Sequence, residues 1–248
     1  WEEWGADCVK RFRGMFAFAL WDSNSETLFL GRDRLGIKPL YYSVLPDGRL
    51  IFGSEMKALL CDPELEREFD IGGIEDYFAF GYLPDPKTIY RSVRKLPPAH
   101  TLEWQRGKPA PAPRRYWEIQ FQADNRMKEE DACVELRERM SEAVKIRLMA
   151  DVPLGAFLSG GIDSSAVVAM MRECKIDRLL TCSIGFAEQK YDESRFASLV
   201  ACAKRTEHKA ERVEASNYDL LDALTERLHG AQDLVLETAQ ASAPVTAG

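Results

Sequence analysis

The stretch that decides the fold is "LGAFLSGGIDSSAVVAM", residues 154–170. A short apolar run ends at two glycines, and the small and apolar residues after them predict a helix that begins near Ser164. Downstream, "LLTCSI", "ESRFASLVACAKR", "HKAERV" and "NYDLLDALTERL" read as a strand, a helix, a strand and a helix. This alternation predicts a parallel sheet with helices on its faces.

The segment between the first strand and its helix has the composition of an anion cradle. Ligands of parallel sheets bind at the carboxyl ends of the strands, where this segment lies. Gly160 and Gly161 allow a tight turn and a close approach of the backbone to a ligand. The helix start offers unpaired N–H groups, and Ser159, Ser164 and Ser165 add hydroxyl groups. The pattern predicts a phosphate site.

Asp163 lies within this segment and needs a separate explanation. A carboxylate beside phosphate calls for a cation between them, and Mg²⁺ held by carboxylate and phosphate oxygens meets that need. The alternative is a capped strand-to-helix turn without a ligand, since Asp163 and Ser164 are both good helix caps. The common P-loop is excluded, because no lysine follows the second glycine at the required position.

Composition limits the classes of protein and partner. The chain has 248 residues, of which 46% are hydrophobic and 29% charged, as in globular proteins. A net charge of −7 argues against a nucleic-acid partner, and no apolar run approaches the ~20 residues of a membrane span. Six cysteines without a C-x-x-C pair predict reduced thiols and a cytoplasmic location, with a disulfide framework as the alternative.

The first half of the chain has a different pattern of apolar residues and prolines. Paired apolar runs, "MFAFALW" with "TLFLGRD" and "PLYYSVL" with "RLIFGSE", predict antiparallel hairpins, and "MKALL" predicts a short helix. Seven of the twelve prolines fall within residues 84–113, so we expect a connection with one short strand at "HTLEW". A helix is then predicted over 128–149, and its apolar face comprises Cys133, Leu136, Met140, Val144 and Leu148.

These motifs resemble a known family. "SGGIDSS" resembles the pyrophosphate-binding loop of the N-type ATP pyrophosphatases, which break ATP between its α and β phosphates. "GMFAFALWDSNSETLFLGRDRLGIKPLYY", residues 14–42, is similar to the later part of a class II glutamine amidotransferase domain, and "SEMKALL" continues that match. "DVPLGAFLSGGIDSS" is similar to the synthetase half of the glutamine-hydrolysing asparagine synthetases, and "SIGF" and "YDES" fit the family's next strand and loop.

The resemblance implies a two-domain fold. Residues 1–80 would be an α+β remnant of an N-terminal-nucleophile glutaminase domain with an antiparallel sheet, and residues 81–126 a proline-rich connection. Residues 127–248 would be the first part of an α/β, Rossmann-like ATP-pyrophosphatase domain with a parallel sheet. No chemistry is assigned to "GRDRLGIKPLYY", which also reads as a charged turn between two strands.

The resemblance also implies roles for single residues. Leu158 and Ile184 would flank the adenine nucleotide, although a strand isoleucine is equally a core residue. The phosphates would be held by Ser159, Gly160, Gly161, Ser164 and Ser165. Asp163 would ligate magnesium.

The implied activity is the synthesis of asparagine from aspartate, ATP and glutamine, through an acyl-adenylate of aspartate that ammonia from glutamine amidates. The partners would be these small molecules, without nucleic acid or membrane, and a homodimer is left open. Two alternatives remain. One is a related amidotransferase with another acceptor, either β-lactam synthetase-like or modifying a peptide or polysaccharide. The other is a fragment without catalytic activity.

The family's glutaminase nucleophile is an N-terminal cysteine, whose thiolate attacks the glutamine amide. The chain starts at Trp1, and Cys8 is internal, so we expect Cys8 to be a packing residue and assign no catalytic residue for glutamine hydrolysis. The family's second ATP-site loop, Ser-Gly-Glu-Gly-x-Asp-Glu, is not found in residues 1–248. We therefore expect a fragment that is truncated at both ends and inactive alone.

Overall fold

The structure is a computed structural model, which describes residues 1–108, 112–122, 126–174, 176, 178–186, 190 and 192–213. The chain divides into two compact units, Trp1–Ala123 and Asp124–Gly248. The helix predicted at "NYDLLDALTERL" lies outside the described residues. The three-part division at residues 80 and 126 stays a prediction.

The first unit contains two antiparallel sheets. Its helices are a 3-10 helix at Gly5–Arg11, α1 at Met56–Leu59 and α2 at Ile71–Phe80. Its strands are β1 (Ala17–Asp22), β2 (Thr27–Arg32), β3 (Tyr41–Val44), β4 (Leu50–Gly53), β5 (Arg94–Lys95), β6 (His100–Gln105) and β7 (Arg114–Arg115). They are ordered β1-β2-β6-β7 in one sheet and β4-β3-β5 in the other.

Both predicted hairpins are present, and their turns explain them. Between β1 and β2, the Asp22 carboxylate accepts a hydrogen bond from the Asn24 N–H at 2.9 Å, which closes the turn. Between β3 and β4, Gly48 has φ +85°, a conformation that side chains rarely adopt. The predicted strand at "HTLEW" is confirmed as β6, which pairs antiparallel with β2.

A buried charge network organises the turn after β2. Asp33 is 1% exposed, and its carboxylate accepts four backbone N–H groups at 3.0–3.2 Å, those of Phe16, Leu35, Ile37 and Lys38. Burial by itself would raise the pKa of Asp33, but these four hydrogen bonds lower it below its ordinary value. The neighbouring Arg32 donates to Asp85 at 2.8 Å and to three backbone carbonyls. "GRDRLGIKPLYY" therefore has a structural explanation.

The cysteines carry free thiols at all six positions. Cys8 is 3% exposed and packs with Val9 and Phe29, as expected of a packing residue. Burial raises the pKa of the Cys182 thiol, which keeps it protonated at neutral pH. None of the helices in the described ranges is long and apolar enough to span a bilayer.

The second unit contains a parallel sheet, as predicted. Its described elements are α3 (Glu129–Lys145), β8 (Gly155–Phe157), α4 (Ile162–Glu173), β9 (Leu180–Phe186), α5 (Ser194–Lys204) and β10 (Glu207–Val213). The strand order is β10-β9-β8, and both pairs are parallel. One apolar core joins the strands to α4 and α5, and it consists of Leu158, Val168, Met171, Leu179, Ala197 and Ala201.

Helix α3 is shorter than the sequence predicts. The prediction covered 128–149, whereas the helix ends at Lys145. The N–H groups of Arg147 and Leu148 each donate to the carbonyl three residues back, so the last turn tightens and the α-helical pattern stops.

The apolar face predicted for α3 is only partly buried. Val144 and Leu148 pack on the core of the second unit, but Cys133 is exposed and Leu136 is 60% exposed. In the described part of the chain α3 packs along α4, where Arg137 pairs with Glu173 at 2.7 Å. The amino-terminal half of the predicted face lies away from that contact.

His208 joins β10 to β9 through a chain of hydroxyl groups. Its Nδ1 lies 3.0 Å from the Thr181 Oγ1, and its Nε2 lies 3.2 Å from the Ser183 Oγ. Thr181 is 2% and Ser183 7% exposed, so the hydroxyls that meet the imidazole are buried. Burial lowers the pKa of His208 below its ordinary value, and the imidazole is neutral at pH 7.

We expect the free energy of unfolding to fall as the pH falls through about 6.5, because the unfolded chain then takes up a proton on His208 before the folded chain does. His208→Gln should remove this part of the pH dependence, while His100→Gln, the control, should keep it. Urea unfolding followed by circular dichroism between about pH 7.5 and about pH 5.5 measures the difference. An unchanged pH dependence in His208→Gln would refute this account.

Candidate functional site

Residues 159–165, here called the glycine loop, connect β8 to α4. The Leu158 N–H donates to the Cys182 carbonyl at 2.8 Å and so continues the parallel pairing of β8 with β9 to the edge of the sheet. The Leu158 side chain is 1% exposed and belongs to the core. The glycine loop therefore starts at the carboxyl end of a strand, where parallel sheets bind ligands.

The cap of α4 is not the one that the capped-turn alternative requires. The N-cap is Gly161, with φ −68° and ψ 165°, and no side chain makes a capping hydrogen bond. The first turn closes when the Ser165 N–H donates to the Gly161 carbonyl at 3.0 Å, so α4 begins at Ile162, two residues before the predicted start. Asp163 therefore lies inside the first turn, exposed, and capping does not explain it.

Gly160 and Gly161 differ in how far the fold requires glycine at each position. Gly160 has φ +87°, and a Cβ there would lie 2.5 Å from the Ala197 N and from the Phe196 Cβ in α5. The fold thus requires glycine at 160. A Cβ on Gly161 would meet only the Ser159 Oγ, at 3.4 Å, in an ordinary backbone conformation. Nothing described in the fold requires glycine at 161, which leaves room for a ligand.

Hydroxyl groups line the glycine loop. The Ser159 Oγ accepts the Gly161 N–H at 3.3 Å and lies 3.1 Å from the Ser164 Oγ, which also reaches the Gly161 carbonyl at 3.2 Å. The Ser165 Oγ is buried and has no hydrogen-bond partner within the described residues. A buried hydroxyl without a partner costs free energy, so the Ser165 Oγ has a hydrogen-bonding capacity that the described residues do not satisfy.

The strand β9 brings the other predicted residue to the same edge. Ile184 lies two residues after Cys182, whose carbonyl accepts the Leu158 N–H. The Ile184 side chain is half-buried. The structure thus brings Leu158 and Ile184 onto neighbouring strands at the end of the sheet. The contact of the glycine loop with Phe196 and Ala197 was missed from the sequence, because nothing in "ESRFASL" marks which turn of α5 meets the loop.

The donor set fits phosphate together with a cation. The first N–H groups of α4 have no acceptor within the helix, and its dipole is positive at that end. Among the residues that the structure describes, no group of three or more His, Cys, Asp or Glu side chains could hold a metal ion. Mg²⁺ is commonly held by one or two carboxylates together with substrate phosphates, and Asp163 can supply one such ligand.

Two family models match the chain, one on each side of residues 118–134. The model described as a glutamine amidotransferase domain matches residues 1–117, and the model described as asparagine synthase matches residues 135–246. Together they cover most of the chain, in the order that the sequence predicted. The chain belongs to the family of glutamine-hydrolysing asparagine synthetases.

Of three curated relatives of this chain, two are named asparagine synthetases and one is named an amidase. A protein of Methanocaldococcus jannaschii, provisionally named as a glutamine-hydrolysing asparagine synthetase, is 41% identical over 207 residues, 82% of this chain and 40% of its own. Asparagine synthetase (glutamine-hydrolyzing) 3 of Bacillus subtilis is 37% identical over 169 residues, 68% of this chain and 27% of its own. Amidase chyE of Penicillium rubens is 35% identical over 181 residues, 70% of this chain and 25% of its own.

The matched part of this chain thus spans between 25% and 40% of the length of these relatives.

The difference between the two glycines can be measured as stability. Gly160→Ala should lower the free energy of unfolding by about 1–3 kcal/mol from backbone strain, with a further loss from the clash with α5. Gly161→Ala should leave it unchanged within about 1 kcal/mol, because alanine adopts that backbone conformation without strain. Urea unfolding of both variants by circular dichroism makes the comparison. Equal destabilisation would contradict this assignment.

Proposed function

We propose that the chain is part of an enzyme that makes asparagine from aspartate, ATP and glutamine. The observation that carries the proposal is the glycine loop, where an open position at Gly161 and the free N–H groups of α4 meet at the carboxyl end of β8. An anion fits there because the backbone can approach it closely and the helix dipole favours negative charge. In this reading the second unit is the first part of a Rossmann-like ATP-pyrophosphatase domain.

The residues of the glycine loop would hold the phosphates of ATP. Backbone N–H groups at the start of α4 and the hydroxyls of Ser159, Ser164 and Ser165 would donate to phosphate oxygens. Gly160 would provide the turn that its packing against α5 requires, and Gly161 would keep the approach open. Leu158 and Ile184 would flank the adenine nucleotide, Leu158 through its backbone because its side chain is buried in the core. Asp163 would hold magnesium, which when bound neutralises charge on the departing pyrophosphate.

The reaction proposed is an adenylation followed by an amidation. A carboxylate oxygen of aspartate attacks the α-phosphorus, and the bond from that phosphorus to the oxygen bridging to the β-phosphate breaks. Pyrophosphate leaves into the glycine loop, whose donors stabilise its charge. Ammonia, released from glutamine by the glutaminase domain, then attacks the acyl carbon, and AMP departs.

We also propose that these residues act within a longer polypeptide. The support is the share of the relatives that the chain spans, 40% for the first relative and 27% for the second. On this view residues 1–248 alone are inactive as a synthetase and as a glutaminase. A cytoplasmic location and a homodimer remain predictions.

A second candidate is a related amidotransferase with another acceptor. One observation favours keeping it: a relative that is 35% identical to this chain is named an amidase. The glycine loop would act in the same way in both enzymes, since it contacts ATP and not the acceptor. Exchange of labelled pyrophosphate into ATP needs the acceptor, because it runs through reversible adenylation of the acceptor carboxylate. Exchange that requires aspartate favours the asparagine synthetase, and exchange that requires another carboxylate in place of aspartate favours the other acceptor.

Asp163→Asn should abolish exchange of pyrophosphate with ATP in the full-length enzyme that contains these residues. Loss of a magnesium ligand removes charge stabilisation worth several kcal/mol, so a loss of ~100-fold or more is expected. Hydrolysis of glutamine should continue, because it belongs to the other domain.

Asp151→Asn is the matched control, since it makes the same chemical change at an exposed carboxylate outside the glycine loop. It should keep exchange at the wild-type rate. If Asp163→Asn also exchanges at that rate, then Asp163 does not hold magnesium.

A further inference from the structure

Asp192 connects the end of β9 to the start of α5. Its Oδ1 accepts the Ser194 N–H at 3.1 Å. Hydrogen bonding from Ser194 is the main cause that lowers the pKa of Asp192 below its ordinary value, and the nearby charge of Arg212 in β10 adds a smaller effect in the same direction. One ionised carboxylate therefore holds the first residue of α5.

The strand leaves room for this carboxylate. A Cβ on Gly185 would lie 3.0 Å from the Asp192 Oδ1 and 3.3 Å from the Ser194 Cβ. A side chain at 185 would therefore press on the contact from the β9 side. The N-cap of α5, Glu193, makes no side-chain capping bond, so Asp192 is the carboxylate that fixes this helix start.

The glycine loop packs against this same first turn of α5. Gly160 lies against the backbone of Phe196 and Ala197, with no space for a Cβ between them. The left-handed conformation of Gly160 sets the direction in which the chain enters α4, and so the direction of the N–H groups that follow Gly161. A shift of the first turn of α5 must therefore move the glycine loop, because close-packed backbone atoms have no free space to absorb it.

We propose that Asp192 is a positioning residue for the glycine loop, which it holds in its phosphate-binding shape by fixing the first turn of α5 against Gly160. The inference rests on the proposed function of the loop. Asp192 itself touches no phosphate in this account. A plain helix cap would stabilise α5 alone, whereas a positioning residue also controls the order of the loop and its affinity for phosphate.

The test compares Asp192→Ala with Asp192→Asn in the chain Trp1–Gly248. Asparagine keeps an oxygen at the Oδ1 position that can accept the Ser194 N–H, and alanine does not. Ser198→Ala is the control within α5, because it removes a hydrogen bond of the same helix, from the Ser198 hydroxyl to the Ser194 carbonyl at 2.9 Å, and leaves the Asp192 contact in place. Two quantities are measured below the melting temperature: hydrogen exchange of amides 159–165 without ligand, and the Kd for magnesium pyrophosphate.

Asp192→Ala should speed exchange in the glycine loop and raise the Kd, each by about tenfold, which corresponds to roughly 1.4 kcal/mol. Asp192→Asn and Ser198→Ala should stay within about threefold of the wild type. Should Asp192→Ala not fold, Gly185→Ala disturbs the same contact from β9 and should also speed exchange in the loop.

Faster exchange in α5 alone, with loop exchange and Kd as in the wild type, would overturn the proposal and leave Asp192 a helix cap. Absence of pyrophosphate binding in the wild type would overturn the proposed function instead. In that event loop exchange in Asp192→Ala still decides whether Asp192 positions the loop.

Discussion

A backbone contact with no room for a side chain joins the glycine loop to α5. The Cβ that Gly160 lacks would lie 2.5 Å from the Ala197 N, so the loop and the helix fit only with glycine at that position. The left-handed turn at Gly160 then starts α4 at Ile162 and leaves Gly161, Asp163 and the first N–H groups of α4 at the sheet edge. The proposed chemistry depends on this contact, because it sets the direction of the donors.

The sequence predicted the elements of the second unit better than their contacts. "LGAFLSGGIDSS" predicts strand, turn and helix because apolar runs and glycines are local signals. It could not separate Gly160 from Gly161, since only the tertiary contact with α5 makes 160 indispensable. The start of α4 and the end of α3 were each misplaced by a few residues, because backbone hydrogen bonds at Ser165 and Arg147 decide them.

In the first unit, a few buried polar groups stabilise the turn after β2. Asp33 and Arg32 satisfy backbone groups that the turn after β2 would otherwise bury unpaired, which explains charged residues at 7% exposure or less. Composition alone does not predict such a network, because a charged run normally indicates an exposed turn. The resemblance to a glutamine amidotransferase domain identified this segment correctly, and the geometry supplies the physical reason for its residues.

The proposed function depends on phosphate binding by the backbone and hydroxyl donors of the glycine loop. The most direct measurement is a titration of the wild-type chain with magnesium pyrophosphate, in which backbone amide signals are followed by nuclear magnetic resonance. We expect the largest saturable shifts at Ile162, Asp163 and Ser164, whose N–H groups have no acceptor within α4. Saturable shifts confined to residues 1–122, or none at all, would contradict this expectation.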